Sequence, residues 1–457
     1  MVVSAFELFR IGPGPSSMHV VGPHRAAQRF VHEIAADGLL ASVHRIEIEL
    51  FGGLAFFGRA HGTDRAVLAG LAGLPAERCD DATLSFCAAR VDSEGELALA
   101  NGPRVGFASR RDLRFVIDRA VAYDGNALRF VVRNRHGEVI ASRVYFSTGH
   151  GHVVGEGDRS TTAPLRIPFA CTTADAMLAA CASQQKRVAD LARANECVRY
   201  SPGEVRSRLL QVSVAMRASL QRGLTTEGVL PSGSRRTAPS WSVAMQAGSP
   251  DVSPRAGSAG GVSHAALAQR AALYATAVAE ENAAGGRIVA APSAGSAGPV
   301  AALLQLWHDS LPLQYEDGVV DFLLVSTAMG GMLRGAGVTH VGCQSEVGVA
   351  AAMAAAGYAA VLGASNEQVV HAAELALRPH LGLTCDPAAG RIEDPCIERN
   401  ALAASRACAA AHAAVRAPSP RNGIDATIRA MVASGQTMAS RHKTTSLAGV
   451  AVNLAEC

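Results

Sequence analysis

The chain has 457 residues, of which 49% are hydrophobic, 18% charged and 5% aromatic, with 42 Lys+Arg against 39 Asp+Glu for a formal net charge of +3. A chain of this length predicts two or three domains, and its low charge and high apolar content exclude disorder over most of its course. No basic block is present that would track a phosphate backbone, so nucleic acid is not an expected partner.

The opening Met1 to Pro23 has no basic segment ahead of an apolar run, and proline arrives early, so no signal peptide is expected there. Ala26 to Ala41 has apolar residues at three- and four-residue steps and predicts a helix. His44 to Phe51 alternates strictly, as a half-buried strand does. Leu128–Val132, a polar turn over Arg133–Gly137, and Val139–Phe146 predict a β-hairpin. The pattern predicts a compact α+β domain over residues 1–155, with a linker over 156–171. From Thr172 to Cys457 the chain is Ala/Leu/Val-rich with helical spacing and predicts an all-α domain whose chemistry sits on its loops. Pro231 to Gly261, crowded with Ser, Pro, Gly and Arg, interrupts this pattern and predicts an exposed excursion. Val347 to Leu362 is alanine-rich and too short to span a bilayer; it predicts a buried helix. These features point to a cytoplasmic protein with no membrane partner.

Only two lysines, Lys186 and Lys443, occur among the 42 basic residues. A lysine retained where arginine dominates carries some information, because arginine cannot copy a compact, titratable ammonium. The ten cysteines of such a chain are free thiols or metal ligands rather than disulfides. Cys79, Cys87, Cys171, Cys181, Cys197 and Cys408 lie among apolar neighbours and are read as small buried hydrophobes. Cys343, Cys385 and Cys396 sit beside Gly or Pro turn signals, where a loop can aim a thiolate inward, and Cys457 ends the chain. No C-x-x-C pair supports a zinc ribbon or a ferredoxin-type run. Three thiolates on a cubane cluster leave one iron open to act as a Lewis acid, so spacing alone leaves both a metal site and plain thiols open.

Several longer segments resolve the ambiguity. Glu281-Asn-Ala-Ala-Gly-Gly-Arg-Ile-Val-Ala-Ala-Pro292, Gly342-Cys-Gln-Ser-Glu-Val-Gly348, Leu381-Gly-Leu-Thr-Cys-Asp-Pro387, Pro395-Cys-Ile-Glu-Arg-Asn400 and Val450-Ala-Val-Asn-Leu-Ala-Glu-Cys457 closely resemble the bacterial iron–sulfur L-serine dehydratases. So do Phe6-Glu-Leu-Phe-Arg-Ile-Gly-Pro-Gly-Pro-Ser-Ser17 and Gly58-Arg-Ala-His-Gly-Thr-Asp64, and the resemblance runs in order along nearly the whole chain. It implies an N-terminal domain akin to the allosteric substrate-binding domain of phosphoglycerate dehydrogenases, a helical cluster-binding domain, and a homodimer. It also implies loss of water and ammonia from L-serine, with a [4Fe–4S] cluster held by Cys343, Cys385 and Cys396. The tail would fold inward so that Cys457 caps the fourth iron, its carboxylate and thiol mimicking serine. His61 is the expected base, since imidazole titrates near neutrality. Ser16, Ser17 and His19, with Ser293 and Lys443, are the expected substrate-binding groups.

Departures from the family pattern fall on these same segments. The usual Ser-Ser-Ser-His-Thr is Ser16-Ser-Met-His-Val20, and Ala-Pro-Thr-Asn-Gly-Ala-Ala-Gly is Ala291-Pro-Ser-Ala-Gly-Ser-Ala-Gly298. A glycine-rich segment becomes Ser147-Thr-Gly-His-Gly-His152, Leu-Pro-Gly-Gly-Leu becomes Leu230-Pro-Ser-Gly-Ser234, and Lys-Glu-Thr becomes Lys443-Thr-Thr. Met18, Val20, Ala294 and Thr444 therefore leave two enzyme readings open: an L-serine dehydratase that has drifted, or a paralogue that acts on a larger β-hydroxy or β-substituted amino acid. A cluster-binding sensor is the non-enzymatic alternative. A pyridoxal phosphate enzyme is disfavoured, because its Schiff-base lysine and phosphate cup find no match around Lys186 or Lys443.

Overall fold

The structure, a computed structural model, describes residues 3–117, 125–158, 166–248, 263–311, 315–336, 342–417 and 423–443. It divides into two compact units, one of residues 11–163 with 284–287, the other of residues 1–10, 164–283 and 288–457. Among the described residues no helix is long and apolar enough to cross a membrane.

The first unit is built on a mixed five-stranded sheet. Its strands are β1 (Arg45–Phe51), β4 (Leu113–Val116), β5 (Ala127–Arg133), β6 (Val139–Thr148) and β7 (His152–Gly155), in the order β4-β1-β5-β6-β7. Only β4 and β1 pair in parallel; the other neighbours are antiparallel. A small ribbon of β2 (Glu96–Ala98) and β3 (Arg104–Gly106) stands apart. The alternation along β1 settles its two faces. Ile46, Ile48 and Leu50 are fully buried, while Glu47 and Glu49 on the other face pair with Arg133 and Arg114.

Three helices, α1 (Gly22–Ala36), α2 (Thr63–Leu71) and α3 (Asp81–Glu94), accompany the sheet. Phe30 of α1 stacks on Phe130 of β5 at 4.7 Å, and Glu33 accepts a hydrogen bond from Tyr145 at 2.6 Å. Helix α1 begins and ends earlier than the periodicity predicts. Pro23 occupies its first turn, where a missing N–H costs nothing, and Gly38 takes the left-handed conformation (φ 72°) just past its end.

The second unit is helical, apart from residues 288–290 of the short strand Arg287–Ala290. Its helices are α4 (Ala174–Gln184), α5 (Val188–Glu196), α6 (Pro202–Thr225), α7 (Ala238–Gly248), α8 (His264–Ala283), α9 (Gly298–Asp309), α10 (Glu316–Gly335), α11 (Val347–Val361), α12 (Asn366–Leu377), α13 (Cys396–Val415) and α14 (Ile424–Thr437). Helix α11 is the expected buried helix. It is apolar on all sides and packs against α9, α10, α12 and α13. Of the exposed excursion expected at Pro231 to Gly261, residues 231–235 are exposed as expected, but α7 follows them where no helix was expected. Ala238, Trp241 and Met245 recur at helical steps and pack on Leu273 and Ala277 of α8. Glu280 accepts the Thr237 hydroxyl and the Thr237 and Ala238 amides at 2.7–3.1 Å, satisfying the helix start. Residues 249–262 of that stretch lie outside the described residues.

Of the six cysteines expected to be buried hydrophobes, Cys79, Cys87, Cys181 and Cys408 are buried. Cys171 and Cys197 are only half-buried.

Candidate functional site

Each unit gathers its own set of reactive side chains. In the α/β unit the chain turns tightly at Ser17–Val21. The Ser16 hydroxyl accepts the His19 amide at 3.2 Å and lies 3.0 Å from His19 Nδ1. Ser16 and Ser17 are both buried. Ser147 donates to the Met18 carbonyl at 2.6 Å and Thr63 to the His19 carbonyl at 2.6 Å, which pins the turn from two sides. The segment that departs from the family's glycine-rich pattern is thus a support of this turn. A Cβ on Gly151 would lie 2.9 Å from the Ser17 carbonyl oxygen, so only glycine permits that approach.

His61 closes the helical turn Gly58–His61, which Gly62 ends in the left-handed conformation (φ 75°). Its ring stacks on His19, with centroids 4.6 Å apart and planes 10° from parallel. His61 Nδ1 is 2.9 Å from the Phe57 carbonyl oxygen. A carbonyl can only accept, so Nδ1 carries the proton and Nε2 presents the lone pair of a base. Burial, and then the neighbouring His61, hold the His19 pKa well below its usual value. Two stacked imidazoles do not both carry charge, and His19 is the one kept neutral.

In the helical unit three segments bring the three cysteines together. Gly342 (φ 84°) begins the Cys343 turn, and a Cβ there would stand 2.6 Å from the Leu383 carbonyl oxygen. Gln344 ties the turn to the next segment, accepting the Gly382 amide at 2.8 Å. Cys396 opens α13, and Asn400 one turn on donates to the Cys396 and Gly295 carbonyls at 2.8 Å. Cys385 Sγ and Cys343 Sγ are hydrogen-bonded. That bond pulls the Cys343 pKa down against burial and pushes Cys385 up. Burial first, then Cys343, raises Cys396. All three are free thiols. Arg399 hydrogen-bonds Cys343 and also donates to Asp386 at 3.0 Å and to the Thr384 carbonyl at 2.9 Å.

Lys443 follows closely on this group, since the Cys385 amide donates to the His442 carbonyl at 2.9 Å. Ser293 is buried and its hydroxyl donates to Glu346 at 2.9 Å. Cys457 and Thr444 lie outside the described residues. Val20 is fully buried with Ala66, Ala69 and Leu84 in a core cluster, so it does not line a pocket that reads substrate. Glu346, Arg399, Asp386 and Gln344 were not singled out from the sequence. Each stands within three residues of a motif cysteine, and that adjacency was the available signal.

Comparison with known proteins covers both units. Residues 4–158 match the family Serine dehydratase beta chain and residues 176–451 match Serine dehydratase alpha chain. The L-serine dehydratase of Streptomyces coelicolor is 38% identical over 469 aligned residues that span 100% of both chains. L-serine dehydratase 2 of Escherichia coli is 35% identical over 466, again spanning 100% of both. The L-serine dehydratase of Mycobacterium bovis is 37% identical, covering 100% of this chain and 99% of its own.

Proposed function

The chain belongs to the bacterial single-chain serine dehydratases and is an ammonia-lyase, and from that premise we propose that it converts L-serine to pyruvate and ammonia. The observation that carries the site assignment is the association of three free, buried or half-buried thiols with one guanidinium, drawn from three separate segments of the helical unit.

Those residues fit an iron–sulfur cluster. Among the described residues no three His, Cys, Asp or Glu side chains close on a single metal ion. A cubane makes a different demand, because its ligands bind separate irons and need only share a wall. Cys343, Cys385 and Cys396 would hold it, with Cys457 as the fourth, displaceable ligand, and Arg399 would offset the negative charge of the thiolates. When bound, such a cluster supplies a Lewis acid for the departing β-hydroxide.

The other steps belong to the chain. His61 takes the Cα proton on Nε2, because its Nδ1 proton is committed to the Phe57 carbonyl. The imidazolium then formed is not opposed by a second cation, since the stacked His19 is neutral. Ser16, Ser17, His19 and Lys443 orient the substrate carboxylate. The eliminated aminoacrylate tautomerises to an imine, and water completes pyruvate and ammonia. Pyridoxal phosphate has no part in this scheme. The same reading takes residues 1–155 as the beta-type domain akin to the phosphoglycerate dehydrogenase substrate-binding domain, 156–171 as linker and 172–457 as the catalytic domain of a homodimer.

The test is anaerobic reconstitution with iron and sulfide, then assay of pyruvate from L-serine. Robust pyruvate is expected, and His61→Ala should lower kcat by about 10²- to 10⁴-fold with iron content unchanged. A loaded cluster that forms no pyruvate from L-serine would refute the assignment.

A further inference from the structure

Glu346 has no part in the steps above. It joins the Cys343 turn to α11, and it is the residue of that stretch that keeps exposed surface: Cys343, Gln344, Ser345 and Val347 are all buried, whereas Glu346 is half-buried. Its carboxylate is aimed. Ser293 Oγ donates to Glu346 Oε2 at 2.9 Å, and Ser296 Oγ lies 3.0 Å from Ser293 Oγ. A hydroxyl has one proton to give, so with Ser293 donating to Glu346, Ser296 donates to Ser293, and the short relay ends on the carboxylate. A Cβ on Gly295 would stand 3.4 Å from Glu346 Oε2 and 3.4 Å from Ile392.

The carboxylate stands where its charge reaches Cys343, Cys385 and Cys396 alike, so a cation that arrives with the substrate meets it beside the reacting centre. A β-hydroxy α-amino acid brings one, an ammonium on the carbon next to the one that bears the leaving hydroxyl.

We propose that Glu346 is the group that binds the substrate α-ammonium, with Ser293 and Ser296 as its positioning residues. The inference rests on the reading that the three thiols hold the reacting centre. It revises the expected role of Ser293, whose single proton goes to Glu346 and not to the substrate carboxylate. It also gives the site a specificity rule: β-hydroxy acids without an α-amino group bind more weakly than L-serine, because they lack the ammonium that Glu346 holds.

The experiment uses the reconstituted full chain and reads iron content, the visible absorption of the cluster during ligand titration, and steady-state kinetics. The ligands are L-serine and 3-hydroxypropionate, which lacks the ammonium. Glu346→Gln should keep its iron, lose L-serine affinity about 10- to 100-fold and bind 3-hydroxypropionate unchanged, with KM moving more than kcat. Gly295→Ala, which adds a methyl group beside Oε2 and removes no charge, should weaken L-serine in the same selective way and serves if Glu346→Gln does not fold. Ser293→Ala should show a milder loss that Ser293→Thr restores. Unchanged L-serine affinity, equal loss of both ligands, or loss of iron in Glu346→Gln would overturn the proposal. A wild-type protein that loads iron but neither binds nor turns over L-serine overturns the dehydratase reading with it, a pattern distinct from an active wild type and an unaffected variant.

Discussion

Where the family usually has threonine, position 20 is valine, and the sequence alone suggests a lost substrate contact. Its surroundings say otherwise. Val20 packs against Ala66, Ala69 and Leu84 with no exposed surface, one residue beyond a histidine whose carbonyl and ring are both held. The same five-residue stretch thus carries site residues and core residues, and only the direction of each side chain separates them. Val20→Thr is expected to leave the KM for L-serine unchanged and to lower stability by about 1–3 kcal/mol, as measured by denaturant unfolding. A large gain in L-serine affinity would put the side chain in the pocket after all. The exchange at positions 294 and 296 has a different character. The family's amide is lost at Ala294, but the alanine usual at 296 is serine here, and its hydroxyl joins the relay to Glu346.

At the scale of elements, alternation made β1 and the β5–β6 hairpin legible, because a sheet with one face in the core imposes its period directly on the sequence. Helix α7 was hidden, since its apolar positions are spaced by Ser and Pro and its start is capped by Glu280 from a distant helix. The three cysteines were legible through their motifs. Glu346 and Arg399 were not, because a charged residue in a motif looks the same on paper whether it is solvated or turned inward. The glycine before Cys343 shows what such a motif encodes mechanically. With φ at 84° and the Leu383 carbonyl 2.6 Å from where a Cβ would be, Gly342 lets the Cys343 and Cys385 segments touch. Gly342→Ala should cost on the order of 1–3 kcal/mol in backbone strain and force the two segments apart. Its expected signature is reduced iron uptake on reconstitution with helical circular dichroism retained. Full iron loading would show that the close approach is dispensable.

For the molecule as a whole, both units contain a histidine kept neutral by its surroundings, which makes acid a common threat to each. His24 on α1 is completely buried, and burial, then Arg25, brings its pKa to about 4, with Gln28 offsetting part of the effect. His412 on α13 is brought to about 4 by burial, then by His264 and Arg416. An unfolded histidine titrates near 6.5. Between pH 6.5 and 4 the unfolded chain therefore binds protons that the folded chain does not, and stability falls as pH drops through that window. Above pH 6.5 both states are neutral and these groups no longer favour unfolding. The fully buried His24 sets a loss on the order of 3 kcal/mol by pH 4, while His412, nearer to solvent, contributes less. Unfolding by denaturant across pH 4 to 8 should show stability level above 6.5 and declining below it. His24→Leu should make the decline of the α/β unit shallower, with the buried His19 accounting for part of what remains, and leave any decline of the helical unit in place, so two probes, one in each unit, are needed. If His24→Leu has the same acid slope as the wild type in the α/β unit, then other groups there, the buried His19 or the carboxylates, govern its acid sensitivity.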